Sequence, residues 1–424
     1  MSEEKFSLSR KIAVRCCVAG GGPAGMMLGF LLARAGVEVV VLEKHKDFLR
    51  DFRGDTIHPS TLELMHELGI LDAFLKRPHQ ELRELAGQIG DETIPLADFS
   101  HLPTVCKFIA FMPQWDFLNF LAEHGAIYPT FHLQMEAEVT DLVKTSGLIT
   151  GIRASTPEGP IEVSASLIVG ADGRHSVVRE RAGLTVQELG APIDVLWFRI
   201  ARQSDDPGQA LGRFVSGKLM VMLNRGDYWQ CGFVILKGGF EALKQRGLAL
   251  FHDDIVSVTP FLRDRVKQLR DWNEIRLLTV AVDRLLKWHR PGLLCIGDAA
   301  HAMSPIGGVG INLAIQDAVA AANILATPLA QNSVTDGDLN KVQERRLLPT
   351  RLTQGAQVFI QKRVFGRVLG NNQQISIPWL LRLFRYWPFL RRIPARMIGI
   401  GFRPEHIRTT DALRSHERVA TGSF

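Results

Sequence analysis

Acidic residues are missing from one long stretch of this chain. From Arg345 to Pro404 there is no Asp or Glu but there are twelve Lys and Arg, so the formal charge of +6 over 424 residues is concentrated there and the remainder is net negative. No nucleic-acid-binding motif accompanies this basic sector, which ranks nucleic acid below a membrane surface or an anionic ligand as its partner. Cysteine is also scarce. The five present, Cys16, Cys17, Cys106, Cys231 and Cys295, show no metal-ligand spacing and fall mostly in apolar, strand-like runs; this argues against a zinc site or a disulfide framework and for small buried hydrophobes. Met1 to Lys11 lacks the apolar stretch of a signal peptide, and no uninterrupted apolar run approaches the roughly 18 residues of a spanning helix. A cytoplasmic location is expected. With 46% hydrophobic and 22% charged residues the composition excludes disorder, and the length allows two or three domains.

What is present begins with a complete strand, glycine turn, helix and second strand. Ile12 to Ala19 is β-rich, Gly20-Gly21-Gly22-Pro23-Ala24-Gly25 fits G-x-G-x-x-G, Met26 to Ala35 reads as an apolar helix, and Val37 to Leu42 reads as a strand closing on Glu43 and Lys44. In that context the glycines serve a dinucleotide: Gly20 for the tight turn, Gly22 for close approach of a pyrophosphate, Gly25 for helix against strand. Glu43, about twenty residues beyond the first glycine, suits an unphosphorylated ribose and favours FAD or NAD over NADP.

Further along, Arg53 precedes His58-Pro59-Ser60, which opens a helix from Thr61 through Leu68 ending at Gly69. His58 reads as a turn or packing histidine. Leu82 to Phe99 reads as short strands and turns, and Gln114 stands near the start of a helix over Phe117 to His124. Ala137 to Val143, Gly151 to Ala154 and Ile161 to Val163 read as an antiparallel unit before a return strand at Leu167-Ile168-Val169 that ends in Asp172-Gly173. From Val186 to about Leu286 β-type runs recur at Val195 to Ala201, Lys218 to Leu223, Trp229 to Leu236 and Ile275 to Val282, interrupted by a helical stretch over Phe240 to Val256. That texture predicts a mostly antiparallel layer, a wall for an apolar ligand. Asp194, Arg199, Arg213 and Asn224 are its polar candidates, each read as rim or surface, while Trp197 and Trp229 read as sheet packing. A short buried strand, Gly292 to Ile296, then leads into Gly297-Asp298 and a long helix reaching about Leu325; Leu339 to Phe365 is predicted helical.

Three glycine turns thus end three buried strands, and their residues carry a resemblance. GGGPAG with Glu43, DGRHSVVR at Asp172 to Arg179, and GDAAHAMSPIGGVGINLAIQDA at Gly297 to Ala318 resemble the group A flavoprotein monooxygenases, the para-hydroxybenzoate hydroxylase-like family, over nearly the whole chain. The resemblance implies an α/β fold: a Rossmann-type FAD domain over 1–185 with 287–345, an inserted antiparallel substrate sheet over 186–286 helped by 80–110, and a basic C-terminal helical segment over 346–424. It places Gly20, Gly22, Pro23, Ala24, Gly25, Glu43 and Lys44 at the ADP half of FAD, Arg53 and Gln114 in cofactor contact, and Asp172 in a motif touching FAD and NAD(P)H. Gly297 and Asp298 fall at the ribityl chain, and Pro305, Gly308, Gly310, Ile311 and Asn312 about the flavin ring. The helix starting near Gly310 would aim its positive end at the reduced flavin, a contribution of roughly 0.3–1 kcal/mol.

The activity implied is hydroxylation or epoxidation of an apolar, aromatic small molecule through a C4a-hydroperoxyflavin, with NADH or NADPH as transient reductant and O2 as oxidant. A reductase or dehydrogenase on the same scaffold is the alternative, and a flavin-carrying binding protein a third reading. No base for a phenol can be assigned, and the tryptophan motif of flavin halogenases is not seen. In the basic sector Trp379, Leu380, Leu383, Phe384 and Trp387 fall at helical spacing among arginines. Residues 376–403 therefore either dock an aromatic face on the FAD domain or lie peripherally on a membrane.

Overall fold

The computed structural model describes residues 10–49, 56–90, 92–207, 211–215, 217–365 and 379–414. Its centre is a parallel sheet in the strand order Leu293–Cys295, Gly159–Gly170, Arg10–Ala19, Val39–Leu42, Phe131–Gln134. Arg10–Ala19 alternates exposed and half-buried residues at its start, but Cys16 to Ala19 are all buried, as expected of strands covered on both faces. All five cysteines are buried and free. Burial pushes the Cys16 thiol up to about 12, which suits packing rather than chemistry.

The last run of the antiparallel unit, Ile161 to Val163, and the return strand at Leu167 to Val169 are one element, while the other two runs form strands Glu138–Thr145 and Leu148–Thr156. Gly159–Gly170 runs unbroken along Arg10–Ala19, while its other edge changes partner, antiparallel to Leu148–Thr156 for its first half and parallel to Leu293–Cys295 for its second. The sequence shows two strands because the burial pattern changes with the partner.

Helix Pro23–Arg34 packs against helix Val309–Ala330. The stretch Ile306–Ala330 is long and apolar enough by composition to cross a membrane, although polar residues such as Asn312, Gln316 and Asp317 interrupt it. Of its 18-residue apolar window 72% is buried inside the protein, so its apolar character serves the core.

A second sheet joins strands Arg276–Leu278, Ile193–Ala201, Tyr228–Leu236, Lys218–Asn224, Leu211–Val215, Glu84–Ile89 and Glu92–Asp98 in that order. It is antiparallel except where Gly212 to Phe214 run parallel to Gly87 to Ile89. Residues 84–98 thus enter a sheet otherwise built a hundred residues later. Alternation splits its side chains into two layers. Leu196, Phe198, Met220, Met222 and Phe233 pack with Phe251 and Ile255 of helix Leu248–Val258. Val195, Leu219 and Val234 form the other layer, with Trp197, Phe214 and Ile306 against it. The helical stretch itself is two helices, Phe240–Arg246 and Leu248–Val258, broken at Gly247 with φ of +90°.

Helices Trp379–Tyr386 and Arg392–Gly399 lie on strand Glu92–Asp98. Ala395 is fully buried there beside Phe99 and Leu102, with Ile398 packed against the same cluster.

The tightest approach in the parallel domain is at Gly25, where a Cβ would collide with the carbonyl oxygen of Gly20 and reach the Val18 side chain. Gly25→Ala is expected to lower stability by about 1–3 kcal/mol through overpacking, read as a lower thermal midpoint.

Candidate functional site

The parallel register brings four chain ends to one edge. Ala19 is level with Leu42 on one side and Gly170 on the other, and Gly170 is level with Cys295. Hydrogen bonds extend the alignment one residue further: Gly20 N–H donates to Leu42 O at 2.8 Å, Ala171 N–H to Ala19 O at 2.8 Å, and Ile296 N–H to Gly170 O at 2.9 Å. Glu43, Gly20, Asp172 and Gly297 therefore begin adjacent turns. The carboxyl edge of a parallel sheet is where such folds bind ligands.

Two helices start at this edge without side-chain caps. Gly22 caps Pro23–Arg34 and left-handed Gly308 caps Val309–Ala330, neither offering an acceptor; helix Asp336–Ile360, by contrast, carries a full capping box from Thr335 and Asp338. Uncapped first-turn N–H groups need an outside partner. Space for one exists at Gly22, where a Cβ would meet nothing within 4 Å, and the run from Pro305 to Ile311 is exposed or half-buried.

Glu43 is buried, its carboxylate accepting from Gly21 N–H at 3.0 Å and His45 N–H at 3.0 Å, which holds the acid beside the glycine turn. Lys44 is exposed, Gln114 is half-buried at the first turn of Gln114–Gly125, and Asp298 is half-buried next to buried Gly297. Arg53 lies outside the described residues.

The structure gives two expected cofactor residues other partners. Asp172 accepts from Ser176 Oγ and from Val178 N–H at 3.1 Å, so its carboxylate secures the start of helix Val177–Arg181; burial pushes its pKa up despite those bonds. Asn312 is buried, accepting from His58 N–H at 2.9 Å and Thr61 Oγ at 2.7 Å while donating to Thr56 O at 3.1 Å. It ties the Gly308 turn to the segment before helix Pro59–Glu67. His58 is a packing residue, with Nδ1 2.7 Å from Ile398 O and burial pulling its pKa down to about 4.

The family model for the FAD binding domain matches residues 13–356. The chain is 32% identical to 6-methylpretetramide 4-monooxygenase of Streptomyces rimosus over 89% of this chain and 91% of that protein. The chain belongs to this family of FAD-dependent monooxygenases. A second relative, a 12-dehydrotetracycline 5-monooxygenase/anhydrotetracycline 6-monooxygenase of Streptomyces rimosus, is 26% identical over 71% of this chain, which spans 60% of that longer protein. In fold the chain is similar to p-nitrophenol 4-monooxygenase of Pseudomonas putida, with a TM-score of 0.75 at 20% identity, covering 91% of this chain and 97% of that one.

The monooxygenase's residues fit FAD on the structure's own terms. The uncapped helix start at the open Gly22 suits a pyrophosphate, with the buried Glu43 at the strand end beside that turn, and the second uncapped start at Gly308 suits another polar part of the cofactor.

Behind this edge lies a buried charge network that sequence reading missed. Asp317 is fully buried and accepts from Gly297 N–H at 3.1 Å, Arg346 Nε at 2.9 Å and His301 Nε2 at 2.6 Å. Arg346 Nη1 continues to Glu405 at 3.2 Å, and Arg179 lies 3.5 Å from Asp283, whose carboxylate accepts from Ala302 N–H. Nothing in local pattern pairs these residues, since they lie from 16 positions apart for His301 and Asp317 to 104 for Arg179 and Asp283. Among the four polar candidates of the second sheet, Asp194 and Asn224 are buried rather than on the rim. Asp194 holds Lys237 Nζ, Gly238 N–H and Val280 N–H, all at 2.9 Å; Asn224 accepts from Gly226 N–H in a turn. Arg199 is exposed over the Tyr228 ring and Arg213 is half-buried.

Burial would raise the Asp317 carboxyl, but His301 and Arg346 outweigh it and hold it below the usual carboxylate range. A depressed folded pKa contributes stability that is present above the unfolded value and lost as pH falls towards the folded one. Asp317→Asn removes the buried carboxylate from Arg346 Nε and His301 and leaves Arg346 only the carboxylate of Glu405, so a loss of about 3 kcal/mol is expected at neutral pH. Wild type and variant should converge as pH drops below the ordinary carboxylate range, which thermal melts over a pH series would check.

Proposed function

We propose that this FAD-dependent monooxygenase hydroxylates or epoxidises an apolar, aromatic small molecule held between the second sheet and the Pro305–Gly308 loop. The observation that carries this reading is the sheet layer in which Val195, Leu219 and Val234 share packing with Ile306, the residue next to Pro305. Trp197 belongs to that layer and lies over Gly232, where a Cβ would sit 3.0 Å from the indole ring. The missing side chain lets the ring lie along the sheet and offer a flat aromatic face, suited to another flat ring.

In this reading Gly20, Gly22, Pro23, Ala24, Gly25, Glu43 and Lys44 hold the ADP half of FAD, with Arg53 and Gln114 alongside. Gly297 and Asp298 meet the ribityl chain, and Pro305, Gly308, Gly310 and Ile311 border the ring. Asp172 and Asn312 are read at the cofactor as well, held in place by the bonds described above. FAD, when bound, supplies the chemistry, taking electrons from NAD(P)H and activating O2. The chain's part is to orient the ring, place the substrate against it and keep water out. The cofactor part is read as 1–185 with 287–345, the substrate part as 186–286 with 80–110, and the basic segment as 346–424. Pairing of 84–98 into the second sheet supports the middle assignment, while helix Asp336–Ile360 runs through residue 345 unbroken.

The chain's S. rimosus relatives are named for 6-methylpretetramide and anhydrotetracycline, so these two compounds are the first probes. Either should accelerate NAD(P)H oxidation with matching O2 uptake; acceleration without O2 uptake would instead support a reductase. Asp298→Ala should weaken FAD binding by about 1.5–3 kcal/mol, the worth of a hydrogen bond to a charged group, measured by flavin titration of the apoprotein.

We further propose a cytoplasmic enzyme whose C-terminal segment, read as 376–403, touches anionic lipid peripherally; residues 376–378 lie outside the described residues. The supporting observation is that the docked helices leave large apolar side chains outside. Tyr386 is 73% exposed, Trp387 53%, Phe389 58% and Ile393 59%, and Arg385, Arg392 and Arg396 are exposed among them. Aromatic and aliphatic groups interleaved with arginine suit a lipid headgroup region. Each basic residue near such a surface contributes about 1 kcal/mol. Binding to phosphatidylserine vesicles should therefore be salt-sensitive and drop when Arg391 and Arg392 are changed to Glu; wild type that ignores the vesicles at low salt would remove this reading.

A further inference from the structure

After Leu339 and Val342 the buried side of helix Asp336–Ile360 is polar except at Pro349. Gln343, Arg346, Thr350, Gln354 and Gln357, followed by Gln361 in the π-helical turn Gln361–Phe365, are all buried, and after Gln343 they recur in steps of three and four along one face. Leu348, Leu352 and Phe359 stand exposed instead. A helix packed on an apolar core shows the reverse, and buried amides are tolerated only where they find hydrogen-bond partners.

The partners of the glutamines lie on one stretch of chain, residues 283–306. Gln343 accepts from Trp288 N–H at 2.9 Å and donates to Leu286 O at 3.1 Å. Gln354 donates to Asp283 O at 2.7 Å and Ala302 O at 3.1 Å. Gln357 accepts from Ser304 N–H at 3.1 Å and donates to Ser304 O and Ile306 O, each at 3.0 Å. Gln361 donates to Ser304 Oγ at 2.6 Å, an oxygen that also accepts from Ile306 N–H at 3.3 Å. Residues 301–304 belong to no helix or strand, so these amides replace the ladder that regular structure would supply.

We propose that Gln354, Gln357 and Gln361 are positioning residues that fix the Ala302–Ile306 segment, and through it Pro305 and Ile306, against the flavin and substrate. The inference rests on the reading of Pro305 as a neighbour of the flavin ring. Gln343 serves as the internal control, because it grips residues 286–288 and leaves the loop alone.

The test is hydrogen exchange and iodide quenching of flavin fluorescence on the FAD-loaded protein. In Gln357→Leu, amides of 302–308 should exchange about tenfold faster or more, as expected when buried hydrogen bonds are removed. Exchange at 286–290 should not change, and iodide should reach the flavin more easily. Gln343→Leu should show the opposite exchange pattern and unaltered quenching. If Gln357→Leu does not fold, Gln361→Leu removes a single donor and is read in the same way. Unchanged exchange at 302–308 in the folded variant overturns the positioning role. Faster exchange there with unaltered quenching overturns instead the placement of Pro305 beside the flavin.

Discussion

Everything at the candidate site depends on strand ends lying level in a parallel sheet. Because the ends of Arg10–Ala19, Val39–Leu42, Gly159–Gly170 and Leu293–Cys295 are in register, the turns after them open side by side, although they are separated by up to 277 residues of chain between Gly20 and Gly297. A slip of one residue in any pair would move a turn along the sheet and turn its side chains to the other face. The register is held by burial on both faces, where an unpaired backbone group is costly.

The turns are then stiffened from behind. Asp317 carries a negative charge in a fully buried position, which is tolerated because Arg346, His301 and the Gly297 amide share it. Arg346 passes the constraint to Glu405, and the chain beyond Glu405 is fastened across the back of the domain. Arg34 donates to Thr409 O at 2.8 Å, Asn323 to His406 O at 2.8 Å, and Ile407 N–H to Glu67 at 2.7 Å. The C-terminal residues up to Asp411 are thus part of the cofactor domain's scaffold, in spite of their distance in sequence.

The second sheet solves a different problem, presenting an apolar face without losing a core. Strict alternation gives Leu196, Phe198 and Met220 to the helices on one side and Val195, Trp197 and Leu219 to the loop at Ile306 on the other. One set packs the sheet against its helices. The other forms a smaller apolar cluster that reaches the loop at Ile306, and a Cβ at Gly232 would sit 3.0 Å from the Trp197 ring.

The sequence by itself determined the cofactor edge and the two-sheet plan, because glycine turns, strand periodicity and the acid at Glu43 are local signals written within a few tens of residues. It also marked Gly297-Asp298 and the helix that follows, and a packing role for most of the cysteines; the structure buries all five. Only the tertiary structure decided the rest. Strand Leu211–Val215 and its parallel pairing to Glu84–Ile89 are non-local contacts with no turn between them to announce it. Asp194 and Asn224 looked like rim residues because polar side chains usually are, and they are buried because each found backbone N–H donors. For Asp172 and Asn312, expected at the cofactor, the fold adds partners within the protein that the sequence did not show. The glutamine face of Asp336–Ile360 was illegible to hydrophobic periodicity for a physical reason: a buried amide is stabilised by partners up to 71 residues away, and those partners exist only once the chain has folded.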